Sequence, residues 1–202
     1  MPSAWVRERK RDYYYRLAKA EQYRSRAAYK LLQFVEKYGL IKPGDVVVDL
    51  GAAPGGWMQV SRKIVSETGF VLGVDLKIIE PFTEANVRSV VGDLTEPETV
   101  DIIREVIPRA ADVVVSDVSP NISGIWEVDH ARQLDLARKS LQIAVSILRV
   151  GGNFFVKAFQ GDMLNNFVYE TRQCFGTVRV VKPKASRRKS AELFILGLRK
   201  RG

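Results

Sequence analysis

Val46-Val47-Val48-Asp49-Leu50-Gly51-Ala52-Ala53-Pro54-Gly55-Gly56-Trp57 reads as a short β-branched strand running straight into a glycine-rich loop. Val46-Val47-Val48 puts β-branched side chains on both faces of the strand, which is the pattern of a strand buried in a parallel sheet. Lys42-Pro43-Gly44-Asp45 forms the turn that leads into it. Downstream the same strand, loop and helix rhythm repeats. A helix is expected over Trp57–Val65, strands near Phe70–Asp75, Val87–Val91, Asp112–Asp117 and Asn153–Ala158, and further helices near Glu98–Ile107 and His130–Leu148. Upstream, Ser25 reads as a helix N-cap, with Ala27, Ala28, Leu31, Leu32, Phe34 and Val35 at helical spacing until Tyr38-Gly39. After Gly161 a helix over Met163–Phe175 precedes two strand-like stretches, Thr177–Val181 and Glu192–Leu198, which read as a hairpin-like pair joined by the basic loop Lys182–Ser190. Alternation of this kind predicts an α/β, doubly wound, Rossmann-like domain over residues 25–202, preceded by a basic aromatic extension over residues 1–24.

The composition narrows the chemistry. The chain has 202 residues, ample for a sizeable core, with one Cys and one His. Cys174 has no partner for an internal disulfide, and a lone Cys with a lone His excludes the usual protein-built zinc sites, so the expected metal complement is none. Apolar runs such as Phe194-Ile195-Leu196 fall far short of the roughly 18 residues of a membrane span. With a charged N-terminus as well, a reducing, cytoplasmic location and no membrane partner are expected. The net charge of +9 is segregated: residues 1–37 carry +6, residues 177–202 carry +8 and the middle carries −5. Basic ends interleaved with Trp5, Tyr13, Tyr14, Tyr15 and Tyr23 fit an RNA or DNA backbone better than an anionic membrane, which would want more apolar bulk. A solvated helix face is the bland alternative.

In an open parallel sheet, ligands bind beyond the carboxyl ends of the strands. The loop there resembles G-x-A-x-x-G and on its own also matches, loosely, a dinucleotide fingerprint. Pro54 argues against that match, because its ring removes an N–H from the turn that would hold a pyrophosphate. An adenosine ligand without phosphate fits better, with Asp75 for the ribose hydroxyls and Asp93, in Val91-Gly92-Asp93-Leu94, for the adenine amino group. Carboxylates around a sulfonium are favourable, whereas around a pyrophosphate they would repel. The plain alternative makes both aspartates strand-end turn residues.

Five motifs then carry a resemblance. Ser25-Arg26-Ala27-Ala28-Tyr29-Lys30-Leu31, Asp49 through Trp57, Ser116-Asp117-Val118-Ser119-Pro120-Asn121, Phe155-Val156-Lys157-Ala158-Phe159-Gln160-Gly161 and Ser190-Ala191-Glu192 together resemble the FtsJ/RrmJ (RlmE) family of RNA ribose 2′-O-methyltransferases over nearly the whole chain. The resemblance implies S-adenosylmethionine as methyl donor and a seven-stranded, mostly parallel sheet whose last strand is antiparallel. It also implies a catalytic set of Lys30, Asp117, Lys157 and Glu192. Cofactor contacts are expected at Gly51, Pro54, Gly55, Gly56, Trp57, Asp75, Asp93, Leu94 and Asp117. Trp57 either lies beside the methionine portion of the donor or begins the packing of its helix.

A ribose 2′-hydroxyl is a poor acid, so its proton must be removed or strongly polarised while the oxygen is held in line with the S–CH₃ bond. Lys157 is the expected base or alkoxide stabiliser. Lys30 and Glu192 are expected to orient substrate and Lys157, and Asp117 to bridge cofactor and cluster. Taken singly, the lysines also read as surface residues and Glu192 as an edge-strand charge. His130 reads as a helix-start residue and Cys174 as a small buried group. Arg187-Arg188-Lys189 is expected to guide RNA phosphates. The reading that follows is methylation of a uridine ribose in large-subunit ribosomal RNA by a monomer. The alternatives are a tRNA ribose methyltransferase, a non-catalytic ribosome-assembly module and a nicotinamide-dependent oxidoreductase.

Overall fold

The computed structural model describes residues 12–187 and 190–202. Trp5, Arg7, Arg9, Lys10 and Arg11 of the basic extension, and Arg188 and Lys189 of the basic loop, lie outside them. Seven strands form one sheet: β1 (Val46–Leu50), β2 (Phe70–Asp75), β3 (Val87–Val91), β4 (Ala111–Ser116), β5 (Leu148–Phe159), β6 (Phe175–Val181) and β7 (Glu192–Lys200). Their order across the sheet is β3-β2-β1-β4-β5-β7-β6. Strands β1 to β5 pair in parallel, and β7 runs antiparallel to both neighbours, β5 and β6. This is the seven-stranded α/β sheet that the sequence leads one to expect, with the reversal of strand order between β1 and β4.

Burial explains the order. All five residues of β1 and all six of β4 are buried, as central strands covered on both faces require. One face carries Val46, Val48, Val114, Phe154, Val156 and Ile195 against α4 (Glu98–Val106), α5 (Trp126–Ile147) and α6 (Leu164–Cys174). The other carries Val47, Val113, Val115, Phe155 and Phe194 against α2 (Ala28–Tyr38) and α3 (Gly56–Val65). Phe155 and Phe194 stack across β5 and β7 at 4.7 Å, and the Trp57 indole closes over both. Trp57 is only 3% exposed and donates its Nε1–H to the Ala27 carbonyl at 2.7 Å, so its ring is chiefly core.

Four boundaries differ from the sequence reading. Ser25 does not cap α2: the N-cap is Ala27 without a side-chain bond, and Ser25 instead contributes its carbonyl to the preceding turn while its side chain packs on Gly56. The region read as an extension contains a helix, α1 (Tyr13–Ala20), capped by the Asp12 carboxylate and joined to α2 through Tyr14, Tyr23 and Tyr29. Helix α5 starts at Trp126 rather than His130, because Asp129 gathers the preceding loop onto the first turn. Strand β5 begins at Leu148, ahead of the irregularity in its pairing with β4 where Gly151 adopts φ of +83°.

Candidate active site

The loop after β1 commits its amides to protein acceptors. Gly51 N–H and Ala52 N–H donate to the Val74 carbonyl, Ala53 N–H donates to Asp75 Oδ2 at 2.9 Å and Gly55 N–H donates to the Ala52 carbonyl. Pro54 has no N–H to give. A pyrophosphate would need these groups free, so the loop is poorly suited to a dinucleotide. Gly51 is required sterically as well: it sits at φ of +74°, and an added Cβ would fall 2.8 Å from Val118 Cβ.

Beyond the ends of β1, β2, β3 and β4 lies a cleft of about 460 Å³ lined by Gly51, Asp75, Asp93, Leu94, Asp117 and Val118, among others. Asp75 is fixed by the amides of Ala53 and Lys77. Asp93 accepts from Thr95 N–H at 2.8 Å and Thr95 Oγ at 2.7 Å, bonds that hold its carboxyl below the usual range. The cleft narrows into a recess of about 60 Å³ formed by Ser25, Asp49, Gly51, Gly56, Trp57 and Asp117, with Ala27, Ala52 and Ala53. Gly51, Ala53 and Asp117 line both spaces. Pro54 faces neither: it is exposed and lines a separate groove of about 520 Å³ with Tyr15, Lys19, Tyr23, Arg26 and Arg187. Gly55 is buried in the turn between the loop and α3. It starts α3 with φ of +103°, packed against the guanidinium of Arg24.

Asp49 is the residue that sequence reasoning passed over. It is 1% exposed and its Oδ2 has no hydrogen-bond partner. Burial, then the negative charges of Asp117 and Asp75, push its carboxyl well above the ordinary range. A carboxyl inside an otherwise apolar strand was the available signal. Such an uncompensated group is costly unless a cation comes to it.

At the mouth of the recess four distant side chains meet. Lys30, on α2, lies 2.7 Å from Glu192 Oε2 and 3.4 Å from Asp117 Oδ2. Lys157, near the end of β5, donates to the Asp117 main-chain carbonyl at 2.8 Å and lies 3.2 Å from Asp117 Oδ1. Ser186 Oγ donates to the second Glu192 oxygen at 2.7 Å. Burial works against the Lys30 ammonium, but the carboxylates of Asp117 and Glu192 outweigh it and hold the group above its ordinary range, so Lys30 is a standing cation. Burial likewise opposes ionisation of Asp117, and Lys157 and Lys30 overcome it, keeping that carboxyl below the usual range. Gln133, fully buried on α5, donates to the carbonyls of both Val118 and Lys157 and so ties the β4 and β5 ends together. His130 is not part of the cluster: its Nε2 accepts from Met163 N–H and its ring packs on Gly161.

Comparison with known proteins agrees with this architecture. The family model for FtsJ-like methyltransferases matches residues 23–200. A Methanocaldococcus jannaschii protein named ribosomal RNA large subunit methyltransferase E is 51% identical over 201 residues, covering 98% of this chain and 82% of its own length. A protein of the same name from Methanothermobacter thermautotrophicus is 52% identical over 198 residues, covering 98% and 93%. Among solved structures, a putative ribosomal RNA methyltransferase from Plasmodium falciparum superposes with a TM-score of 0.78 at 26% identity, over 89% of this chain and all of that one. With the matching model spanning nearly every element that builds the cleft and the cluster, the chain belongs to the FtsJ-like methyltransferase family.

Proposed function

We propose that this protein transfers a methyl group from S-adenosylmethionine to the 2′-oxygen of a uridine ribose in large-subunit ribosomal RNA. The observation that carries the reading is the convergence of Lys30, Asp117, Lys157 and Glu192 where Asp117 also lines the donor cleft. The name shared by the archaeal relatives supplies the large ribosomal subunit as the source of the RNA.

The residues present fit the donor. Asp75 and Asp93 lie in the wider space, where a ribose and an adenine amino group need acceptors, with Leu94 as apolar cover. The buried, unpartnered Asp49 Oδ2 faces the narrow recess, where a cationic methionine portion would relieve it. Bound there, the donor supplies a methyl on positively charged sulfur, which leaves as a neutral thioether. The protein's share is then to place the ribose oxygen and deal with its proton. Lys157 Nζ, held by Asp117, accepts that proton or stabilises the oxygen as its negative charge develops. Lys30 stays cationic beside it, and Glu192, fixed by Ser186, sets the position of Lys30. Transfer would form the O–CH₃ bond as the S–CH₃ bond breaks, with the bonding electron pair left on the departing thioether. RNA approaches along the groove of Tyr15, Lys19, Tyr23, Arg26 and Arg187, which meets the recess at Ser25.

The test is transfer of labelled methyl from S-adenosylmethionine to ribosomal RNA, followed by digestion to nucleosides. Label in 2′-O-methyluridine from large-subunit RNA is expected. Label on a base, or only in tRNA, would overturn the assignment of acceptor, and binding to ribosomal subunits without transfer would mark an assembly factor.

A further inference from the structure

Trp126 is an oddity among the large apolar side chains near the active edge. It is 45% exposed, yet its indole lies near-parallel to two other rings, at 5.8 Å from His130 and 6.0 Å from Phe159, each at 20°. Phe159 follows Lys157 by two residues in β5 and pairs across the sheet with Glu192. Side chains two apart on a strand, and those directly opposite on its neighbour, share a face. Phe159 therefore joins Trp126, at the start of α5, to the strand end that also carries Lys157 and faces Glu192. We infer that Trp126, backed by Phe159, is a stacking platform for an unpaired RNA base next to the ribose that is methylated. The inference rests on the RNA reading above and extends it to a contact that sets where the strand lies.

Three features argue for a base as the occupant. First, the platform is rigid. Asp129 accepts from Ser123 N–H and Ser123 Oγ, both at 2.7 Å, and from Gly124 N–H at 3.0 Å, which pins the loop before Trp126 to the first turn of α5. From below, Met163 N–H donates to His130 Nε2 and the imidazole fills the space at Gly161. A preformed flat ring loses little entropy when a second ring covers it. Second, exposed apolar side chains, Ile122 and Ile125, precede it in the chain, and Asn121, Ser123 and Glu127 are the exposed polar neighbours in sequence. An exposed π-face holds any base by stacking. Third, it complements the basic groove. That groove approaches the recess from the side of α1 and Pro54, whereas Trp126 stands at the start of α5. A strand gripped at both places is fixed in register over Lys157, which is what a reaction of one particular 2′-oxygen needs.

The experiment uses the full chain with Trp126→Ala, Trp126→Phe and Trp126→Leu. Base stacking contributes about 1–3 kcal/mol per base, so the alanine variant should raise the KM for RNA roughly five- to hundredfold while S-adenosylmethionine affinity is unchanged. Phenylalanine should restore most of the loss and leucine should not. In a Trp5→Phe background, titration of a short oligouridylate should quench tryptophan emission, and the quench should vanish when Trp126→Phe is added, since the remaining Trp57 is buried. An unchanged KM in the alanine variant, or leucine performing as well as phenylalanine, would overturn the platform while methyl transfer by the wild type left the proposed reaction standing. Absence of transfer by the wild type would end the reaction instead, and the quench would still decide whether a base stacks on Trp126.

Discussion

Two aspartates at opposite ends of β4 are each held by two cations. Asp112, at the start of the strand, meets Arg149 Nε at 2.5 Å and Arg109 at 2.7 Å and accepts from Val46 N–H at 2.8 Å. Asp117, just past its end, meets Lys157 and Lys30. Both carboxyls are held below the usual range: burial opposes ionisation at each, and at Asp112 the bonds from Arg149, Val46 and Arg109 outweigh it. The difference lies in the cations. The arginines are about half exposed and cannot give up a proton, so they clamp β1, β4 and β5 together at the end away from the cleft. The lysines are buried at the cleft end of the strand, where Lys30 also meets Glu192 and Lys157 also donates to the Asp117 carbonyl. One end of the strand is thus a fastening and the other the proposed reaction site.

The comparison breaks first at Lys157. Lys157→Ala should lower single-turnover methyl transfer by about 10²–10⁴, the usual contribution of a positioned acid or base, with donor binding largely intact. Arg149→Ala should leave transfer per folded molecule unchanged; equal losses in the two variants would erase the distinction. Glu192→Gln removes the charged partner of Lys30, an interaction of about 1.5–3 kcal/mol, and should cost roughly ten- to hundredfold in the same assay. Asp112→Asn should instead appear in thermal melts, as a loss of about 1–3 kcal/mol, because its arginines can turn to water. The depressed carboxyl of Asp112 stabilises the fold above the unfolded-state value of about 3.9, and that contribution is lost as pH falls through the lower folded value. The variant should therefore show a shallower decline in stability on acidification than the wild type.

Asp49 sharpens the picture at the donor end. Its carboxyl is raised in the free protein, and a bound cation would lower it, so donor binding there should release a proton. Affinity for S-adenosylmethionine should rise with pH, by at most about tenfold per unit, until the raised value is passed and then level off. Calorimetric titrations at several pH values check this, and Asp49→Asn should flatten the dependence. A wild-type affinity independent of pH would remove Asp49 from the donor site.

The same contrast shows what a sequence discloses. Unbroken apolar runs such as Val46-Val47-Val48 gave away the central strands, because nothing else puts so many β-branched residues together. Helix α1 escaped because Tyr13-Tyr14-Tyr15 has no helical periodicity and only Ala18 is buried in it. The four-residue cluster was reached through its resemblance to a family, since Lys30 and Glu192 are 162 positions apart and no spacing rule joins them. Asp49 was hidden because its meaning lies in what surrounds it: a carboxyl reads as polar until the structure shows that no partner reaches Oδ2. Pro54 was expected in the cleft because its residue type fits a binding loop, and only the path of the chain shows that it lines the neighbouring groove.

A crystal structure of the protein with S-adenosylmethionine bound tests the central claim most directly. Adenosine against Asp75 and Asp93, the amino acid portion against Asp49, and a methyl group opening toward Lys157 Nζ beside Asp117 is the predicted arrangement. A methyl group directed toward Val118 and Leu136, with both lysines behind it, would contradict it.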